Sequence, residues 1–587
     1  MMEILPQVQH QEWFGKKIAF ANEYAFEVAD KKVENYLRTF LNCSQDAKQK
    51  IIFKTDASLK KEEYVLEVDE NIVIVSSCAE GAFRAVSTLK QLVRFKETEK
   101  QKIHDYPMIK ERGIMIDISR GKVPLKETLF KLVDIMADLK YNQLQLYLEN
   151  LVFEYDHFAE YCKDMMPITK EELIEIKKYC EDRFIELVPN QNGLGHMGEW
   201  LKKEELKPLG ITREDGKNSS TLNPLKKESL ELVDTIYGDL LPYFDSKFFN
   251  VGLDEPIELG MGETKDACEK YGKGKVYLDY LNKIIELSNE KYNKTPMFWD
   301  DIVFSHPESI KDINPDCIVL DWGYEEEFPF MERCGFLKKH GLKFYTCPGT
   351  SSWGSYTGRF ENMVYNIESA AKACIVHKGE GMLLTDWGNG GHPQFTVMSF
   401  LSYIYGACCS WNYKVPLALE PFTHTPYSKM NRSILKYVVD YADEFLFDGN
   451  KVGAILRKLC NYYILENCSI WDSTVLLDDL SRILNGKETF IEPVSCLQIV
   501  DYMENIKKEL LALNKKTPYI EEIICNCHMV ILTAKFIECC LNERKDTELK
   551  EEILKLKAEF LRLWKKENRV AGSEIFAGKL DKMAEML

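Results

Sequence analysis

The sequence predicts an α/β protein: a (β/α)8 TIM barrel with a small N-terminal α+β domain and an all-α C-terminal domain. Three observations support this prediction. Short apolar runs alternate with amphipathic helical patterns between about residues 110 and 420, alternating strand patterns precede them, and helical periodicity alone follows them. We therefore expect three domains, at 1–107, 108–420 and 421–587, in a chain too long for one hydrophobic core.

The N-terminal domain is predicted from two strands and a helix. Residues 64–68 (YVLEV) and 72–76 (IVIVS) read as two strands, and the polar turn DEN joins them. The stretch EGAFRAVSTLKQLVRF then places apolar residues at helical spacing. This order predicts a small α+β domain that ends near Pro107.

The barrel is predicted from eight short buried strands. Segments such as LKETLFKLVDIMADLK and KVYLDYLNKIIELSNEKY between them have helical periodicity. Eight such units are what a closed barrel requires, and a doubly wound open sheet is the alternative. The predicted strands are 113–117, 143–147, 185–189, 248–252, 295–299, 317–322, 342–346 and 382–387.

The remaining residues, 421–587, read as helices to the end of the chain. We expect this all-α domain to pack on the barrel or to make a subunit contact, so that the chain can form a homodimer. Cys525, Cys527 and His528 lie in one apolar helical stretch there. Because zinc-ligand spacing is absent, we expect helix packing rather than a metal site.

Charge and composition narrow the class of function. The formal net charge of −17 repels phosphate, which argues against nucleic acid or an anionic membrane as the main partner. We see no signal peptide and no apolar run long enough to cross a bilayer; FLSYIYGACCSW, among the longest, is broken by Gly406. The 18 cysteines are irregularly spaced, so we expect reduced thiols and a cytoplasmic location.

Polar and aromatic residues collect at the carboxyl ends of the predicted strands, where TIM barrels hold their catalytic groups. Four of the nine tryptophans fall there among carboxylates, which suits a sugar: C–H faces stack on indole and hydroxyls need charged or amide partners. The residues at or near these ends are Asp117, Glu149, His196, Asp254, Glu255, Trp299, Asp300, Asp301, Asp321, Trp322, Tyr324, Tyr345, Trp353, Asp386 and Trp387.

The adjacent pair Asp254–Glu255 is the most unusual of these features. Most glycosidases place two carboxylates on opposite sides of the scissile bond, whereas adjacent residues in a regular strand point to opposite faces. Both carboxylates can face one pocket only where the strand ends, which Gly252 before them and Pro256 after them permit. The spacing alone leaves open which of the two is the acid.

Most of the first 420 residues resemble glycoside hydrolase family 20, the β-N-acetylhexosaminidases. The resemblance rests on EEYVLEV…KQLV for the N-terminal domain, ERGIMIDISRGKVP for the start of the barrel, and NVGLDE for the acid motif. The DWGY, CPGTSSW and TDWGNGGH stretches and the helical C-terminal domain resemble the compact bacterial intracellular branch. The expected reaction is exo-acting, retaining hydrolysis of terminal β-linked GlcNAc or GalNAc from a small oligosaccharide or glycoconjugate.

The resemblance also implies roles for individual residues. Glu255 is the expected general acid, and Asp254 orients the 2-acetamido group of the substrate, which attacks the anomeric carbon itself. No enzyme nucleophile, cofactor or metal is then needed. The expected substrate-binding residues are Arg112, His196, Trp299, Trp322, Tyr324, Tyr345, Trp353, Asp386 and Trp387, with Tyr345 preferred over Tyr324 for the acetamide carbonyl.

Two departures from the family's pattern stand out. The third strand reads PNQNGLGH, with amides where an acidic residue is usual, and the acid motif has Asn250 where many members have histidine. The alternatives are a carbohydrate-binding barrel without catalysis, and a two-carboxylate hydrolase with Asp301 or Asp386 as nucleophile. A metal-dependent hydrolase is disfavoured, because only His196 and His392 fall near strand ends.

Overall fold

A computed structural model describes residues 3–413 and 431–587. The predicted boundary between residues 420 and 421 lies outside the described residues. The N-terminal domain, the barrel and the helical C-terminal region are otherwise present as predicted, so the fold class is confirmed.

The N-terminal domain is a seven-stranded mixed sheet with two helices. Its strand order is β1-β7-β5-β6-β4-β2-β3. Both predicted strands have the predicted bounds, and in each of them buried and half-buried residues alternate. The elements are β1 (His10–Ala19), β2 (Glu23–Glu27), α1 (Lys31–Leu37), β3 (Asn42–Cys43), β4 (Lys50–Thr55), β5 (Tyr64–Val68), β6 (Ile72–Ser76), α2 (Ala79–Val93) and β7 (Glu97–Asp105).

Eight parallel strands form the barrel, and each overlaps its predicted segment. The ladder runs β10-β9-β8-β15-β14-β13-β12-β11, and a parallel bridge between Asn190 and Asn250 joins its two ends. The bridge favours a closed barrel over an open doubly wound sheet. The strands are β8 (Glu111–Asp117), β9 (Gln143–Tyr147), β10 (Glu186–Val188), β11 (Phe248–Gly252), β12 (Thr295–Trp299), β13 (Ile318–Trp322), β14 (Lys343–Cys347) and β15 (Gly381–Asp386).

Helices surround the barrel, and their apolar faces pack on the strands. Strand side chains such as Met115, Met297 and Leu383 point inward and form a separate interior cluster. The helices are α3 (Lys126–Asp138), α4 (Ala159–Cys162), α5 (Lys170–Glu181), α6 (Gly198–Leu201), α7 (Lys227–Leu240), α8 (Lys265–Tyr271), α9 (Lys273–Glu286), α10 (Asp301–Ser305), α11 (Phe330–Lys339), α12 (Phe360–His377) and α13 (Phe400–Trp411).

The described part of the C-terminal region contains helices and packs on the barrel. The Arg569 guanidinium pairs with Glu172 at 2.6 Å, and the Leu125 N–H donates a 2.8 Å hydrogen bond to the Glu567 carbonyl. The helices are α14 (Asn431–Tyr441), α15 (Gly453–Leu459), α16 (Val475–Leu484), α17 (Pro493–Leu511), α18 (Ile520–Leu541), α19 (Thr547–Glu567) and α20 (Ser573–Met586).

Helix α18 corrects one expectation from the sequence. Its length of 22 residues and its hydropathy would allow it to cross a membrane by those criteria alone, although no such run was expected. However, 72% of its most apolar window is buried inside the protein, as in a core helix. Cys525 and Cys527 are buried in this helix, and His528 borders a cavity of about 550 Å³ between α17, α18 and α19.

Candidate active site

Aromatic side chains fill the centre of the barrel at the carboxyl ends of the strands. The Trp387 indole N–H donates a 2.8 Å hydrogen bond to the Tyr324 hydroxyl, and the Trp299 ring lies 5.9 Å from that of Trp387. Tyr324 contacts Trp353 edge-on at 4.9 Å and Trp322 at 5.3 Å between ring centroids. The structure therefore brings together the four predicted tryptophans and Tyr324.

Asp386 does not join this cluster, although it was predicted to bind a sugar hydroxyl beside Trp387. Its Oδ1 accepts hydrogen bonds from the hydroxyls of Thr350 and Ser352, and its Oδ2 accepts one from Tyr403. Adjacent residues of a strand point to opposite faces, so Trp387 faces the barrel interior and Asp386 faces the surrounding helices. This location corrects the prediction and removes Asp386 as a candidate nucleophile.

The backbone at the end of β11 turns both carboxylates toward one place. Gly252, Leu253 and Glu255 all have positive φ angles, of 69°, 71° and 43°, so the extended conformation stops at Gly252. A Cβ at Gly252 would lie 2.5 Å from the Asn192 side chain, which explains the need for glycine there. Asp254 is buried, whereas the Glu255 side chain is 51% exposed.

His196 contacts both acids. Its Nε2 lies 3.2 Å from Asp254 Oδ2 and 3.3 Å from Glu255 Oε2, while Nδ1 lies 3.6 Å from Glu149 Oε2. Burial alone would lower the pKa of His196, but Asp254 and Glu255 together raise it to about 10. His196 is therefore a cation at neutral pH.

The amide-rich segment PNQNGLGH supports Asp254 directly. The Asn192 amide donates a 2.8 Å hydrogen bond to Asp254 Oδ1, and its Oδ1 accepts a hydrogen bond from the Leu253 N–H. Burial favours the neutral acid, yet His196 and Asn192 hold the pKa of Asp254 below its ordinary value. The amide thus stabilises an ionised Asp254.

Arg120 is a residue that the sequence-based prediction missed. Its guanidinium pairs with Glu149 at 2.9 Å and with Asp117 at 3.2 Å, and it lies 4.9 Å from the centre of the Trp387 ring. Glu149 was noted at a strand end but given no role, and burial and Asp117 raise its pKa. Arg120 follows the end of β8, so the rule that sites lie after strand ends could have identified it.

Arg112 and Tyr345 lie at the opposite end of the barrel from the acids. Arg112 stands near the start of β8, where its guanidinium binds the Glu62 carboxylate of the N-terminal domain at 3.0 Å. Tyr345 pairs in register with Gly381, the first residue of β15. Both positions correct the predictions: Arg112 stands near a strand start, and a Cβ at Gly381 would lie 2.7 Å from the Tyr345 ring, so that ring points toward the amino ends of the strands. Tyr324, the second choice, contacts Trp387 in the aromatic cluster, as does Tyr147, whose ring lies 4.7 Å from that of Trp387.

Asp301 holds the backbone of the proposed acid. The Glu255 N–H donates a 3.0 Å hydrogen bond to Asp301 Oδ2, at the first residue of α10. Burial first, and then the charges of Asp254 and Glu255, raise the pKa of Asp301 to about 7. Asp301 is therefore largely protonated below that pH, which makes it a poor nucleophile.

Among residues 3–413 and 431–587, the same site also has the spacing of a metal centre. One group of histidine, cysteine or acidic residues there has its donor atoms within 4.8 Å of one another, namely His196, Asp254 and Glu255. These are the atoms already in mutual contact across the site. A proton on His196 Nε2 supplies the same positive charge between the two carboxylates.

Two family models match the chain. The model described as Glycosyl hydrolase family 20, catalytic domain, matches residues 110–349, and Glycosyl hydrolase family 20, domain 2, matches residues 1–106. Together they cover more than half of the 587 residues. Strand β15 and the C-terminal helices lie outside both matches.

Individual relatives agree with these matches. The α subunit of mouse β-hexosaminidase is 25% identical over 307 residues, which is 48% of this chain and 57% of that subunit. The chain thus spans little more than half the length of that curated relative.

Two solved bacterial structures are also similar. Flavobacterium johnsoniae chitobiase is 17% identical with a TM-score of 0.61, over 96% of this chain and 99% of that one. The Vibrio harveyi exo β-N-acetylglucosaminidase in complex with N-acetylglucosamine is 18% identical with a TM-score of 0.58, over 75% and 76%. These structures show that the fold is shared.

Proposed function

Because the chain belongs to glycosyl hydrolase family 20, we propose that it is an exo-acting, retaining β-N-acetylhexosaminidase that removes terminal β-linked GlcNAc or GalNAc. The observation that carries the proposal is the Asp254–Glu255 pair. Both carboxylates leave the end of β11 toward His196, beside a wall of tryptophans. The sugar complex of the Vibrio harveyi relative supports an N-acetylhexosamine as substrate.

Glu255 acts as the general acid in this proposal. Its side chain is half exposed, so a glycosidic oxygen can approach it, while Asp301 fixes its backbone. Proton transfer from Glu255 to that oxygen breaks the bond between the anomeric carbon and the leaving group. Glu255 then takes a proton from the water that opens the intermediate, and the acid is restored.

Asp254 positions the nucleophile that the substrate brings. Its carboxylate is ionised and buried, so it can accept the acetamido N–H and stabilise the positive charge of the oxazolinium intermediate. The acetamido oxygen forms the bond to the anomeric carbon from the face opposite the leaving group. An adjacent pair suffices here because neither carboxylate has to attack carbon.

The aromatic cluster encloses the sugar. Trp299, Trp322 and Trp387 offer apolar faces to the acetamide methyl and to the ring, and Tyr324 is the tyrosine proposed for the acetamide carbonyl. Arg120, over the Trp387 ring, and its partner Glu149 offer charged groups for ring hydroxyls.

The decisive experiment compares 4-nitrophenyl β-glycosides of GlcNAc, GalNAc and glucose. The glucoside is the matched control, since it differs from the GlcNAc substrate only by a hydroxyl in place of the 2-acetamido group. We expect turnover of one or both acetamido sugars, no turnover of the glucoside, product of retained configuration, and competitive inhibition by the GlcNAc-derived thiazoline.

The alternatives give different results in the same experiment. A two-carboxylate hydrolase would turn over the glucoside or ignore the thiazoline. A binding barrel without catalysis would be stabilised thermally by GlcNAc but would release no nitrophenol. Either result contradicts the proposal.

We also propose a cytoplasmic location. All 18 cysteines fall within the described residues and are free thiols, which suits a reducing compartment. Fractionation of the source cells should place the activity with cytoplasmic markers; activity in the medium or envelope fraction would contradict this.

A homodimer is the last part of the proposal. Val494 and Leu497 are exposed three positions apart at the start of α17, and Phe490 is exposed just before the helix; such apolar side chains suit contact with a second copy. Light scattering after size exclusion should give twice the chain mass, and Leu497→Glu should reduce it to one. A monomeric wild type would contradict this proposal.

A further inference from the structure

One loop of the C-terminal region, residues 467–474, lies on the carboxyl end of the barrel. Glu466 closes the base of this loop, because its carboxylate accepts a 2.8 Å hydrogen bond from the Val475 N–H at the start of α16. At the end of the loop, the Thr474 N–H donates a 2.7 Å hydrogen bond to the Gly354 carbonyl of the barrel. A Cβ at Gly354 would lie 2.4 Å from the Asp472 carbonyl oxygen, so the two backbones are in close contact.

Asp472 is the residue of this loop that reaches the aromatic cluster. Its Oδ1 accepts a 2.7 Å hydrogen bond from the Trp353 indole N–H, and its backbone N–H donates a 2.7 Å hydrogen bond to Glu325. Asp472 has a φ of 58°, in the left-handed region that aspartate adopts more readily than most residues. The structure thus fixes a carboxylate beside a tryptophan of the proposed sugar pocket.

The second oxygen of Asp472 is less well satisfied. The Asn389 amide approaches Oδ2 at 3.5 Å, the limit of a hydrogen bond. Burial raises the pKa of Asp472 to about 7, although the charge of Arg359, the Trp353 N–H and, more weakly, the charge of Arg120 oppose that rise. A carboxylate with spare acceptor capacity at the edge of an aromatic pocket is suited to bind a neutral hydroxyl.

We propose that Asp472 binds a hydroxyl of the terminal sugar, so that the C-terminal region completes the active site instead of only supporting it. Asp472 lies outside both segments matched by the family models, so family membership does not assign it this role. The inference rests on the proposed hexosaminidase function. It assigns to one residue, 217 positions after Glu255, a direct part in substrate recognition.

The test pairs a variant of Asp472 with substrates that lack single hydroxyls. Asp472→Asn retains an acceptor for the Trp353 N–H but removes the charge that strengthens a hydrogen bond to a sugar hydroxyl. Asp478→Asn, at a half-exposed position of α16, is the matched control. Both are assayed for kcat/KM with the aryl β-GlcNAc and with its 3-, 4- and 6-deoxy analogues.

We expect Asp472→Asn to lower kcat/KM for the parent substrate about 10- to 100-fold, and to lower it far less for the one analogue that lacks the bound hydroxyl. Asp478→Asn should match wild type throughout. An equal loss on all four substrates would show that Asp472 only positions Trp353, and no loss would show that it binds nothing; both overturn the inference. If wild type does not hydrolyse the parent, the proposed function fails instead.

Discussion

Both ends of the barrel contain a glutamate beside cationic groups, but the two glutamates differ in their burial and in the charges around them. Glu62, at the amino ends of the strands, is buried between Arg112 and Arg84, and these charges lower its pKa to about 2 despite its burial. Glu255, at the carboxyl ends, is half exposed and shares His196 with a second carboxylate. Glu62 therefore stays ionised, whereas the side chain of Glu255 is accessible to a ligand.

The charge balance of the two ends explains this difference. At the amino end Lys140 also pairs with Asp105 at 2.9 Å, so Glu62 and Asp105 each have a buried cationic partner there. At the carboxyl end acids outnumber cations, and the pKa of Asp301 is raised to about 7. Full pairing stabilises a domain interface, whereas incomplete pairing leaves groups that can exchange protons and bind substrate.

The largest effect is expected for the exposed glutamate. Glu255→Gln should lower kcat/KM by about 10²- to 10⁴-fold on natural glycosides, because a poor leaving group needs the proton. Activated aryl leaving groups should lose less, and the melting temperature should change little. Glu269→Gln, an exposed position on α8, is the control. Equal losses on activated and natural leaving groups would mean that Glu255 is not the acid.

The buried glutamate should show the opposite pattern. Glu62→Gln leaves Arg84 and Arg112 buried without their counter-charge, so we expect a loss of about 3–5 kcal/mol in the free energy of unfolding. Below the unfolding transition kcat should remain near wild type. Chemical denaturation and steady-state kinetics test both statements. Glu67→Gln, in an exposed pair with Lys102, should cost at most about 1 kcal/mol. A large loss of kcat in Glu62→Gln would contradict the assignment of a purely structural role to the amino end of the barrel.

The orienting acid should have the next largest effect. Asp254→Asn removes the charge that stabilises the intermediate, so we expect kcat/KM for both GlcNAc and GalNAc substrates to fall about 10²- to 10³-fold. Affinity for the thiazoline should fall with it, since that inhibitor mimics the cyclised acetamide. Asp266→Asn, exposed on α8, serves as the control. Unchanged thiazoline affinity would argue against contact between Asp254 and the acetamide.

The smallest effect is a pH dependence confined to the carboxyl end. Asp301 titrates at about 7 in the folded protein but near 3.8 when unperturbed, so folding stability should fall as the pH rises between these values. Asp301→Asn keeps an acceptor for the Glu255 N–H and cannot ionise. Its melting temperature relative to wild type should therefore rise between about pH 4 and 7, and that of exposed Asp316→Asn should not. A constant difference for Asp301→Asn would contradict this.

Local patterns in the sequence predicted the scaffold with little error. Strands 143–147, 248–252 and 295–299 have the predicted bounds, because short apolar runs between amphipathic helices are typical of buried parallel strands. The Asp254–Glu255 pair was also recognisable, since Gly252 and Pro256 mark the end of the strand. These features depend on neighbours within a few residues.

The choice among similar residues depended on which face and which end of a strand each occupies. Arg112 and Arg120 are eight positions apart in one motif, yet only Arg120 follows the strand. Asp386 and Trp387 are adjacent and therefore point in opposite directions. The position of each arginine relative to the end of β8 distinguishes Arg120 from Arg112. The alternation of side chains along β15 distinguishes Trp387 from Asp386, once it is known which face of the strand points into the barrel.

The sequence by itself determined the eight βα units, the two flanking domains and the acid pair, because periodicity and turn residues are local properties. Only the tertiary structure decided that His196 bridges the acids, that Arg120 and not Arg112 lies at the site, and that Asp472 contacts Trp353 across 119 positions of the chain. Such contacts arise from the packing of segments remote in sequence, and no spacing within one segment encodes them.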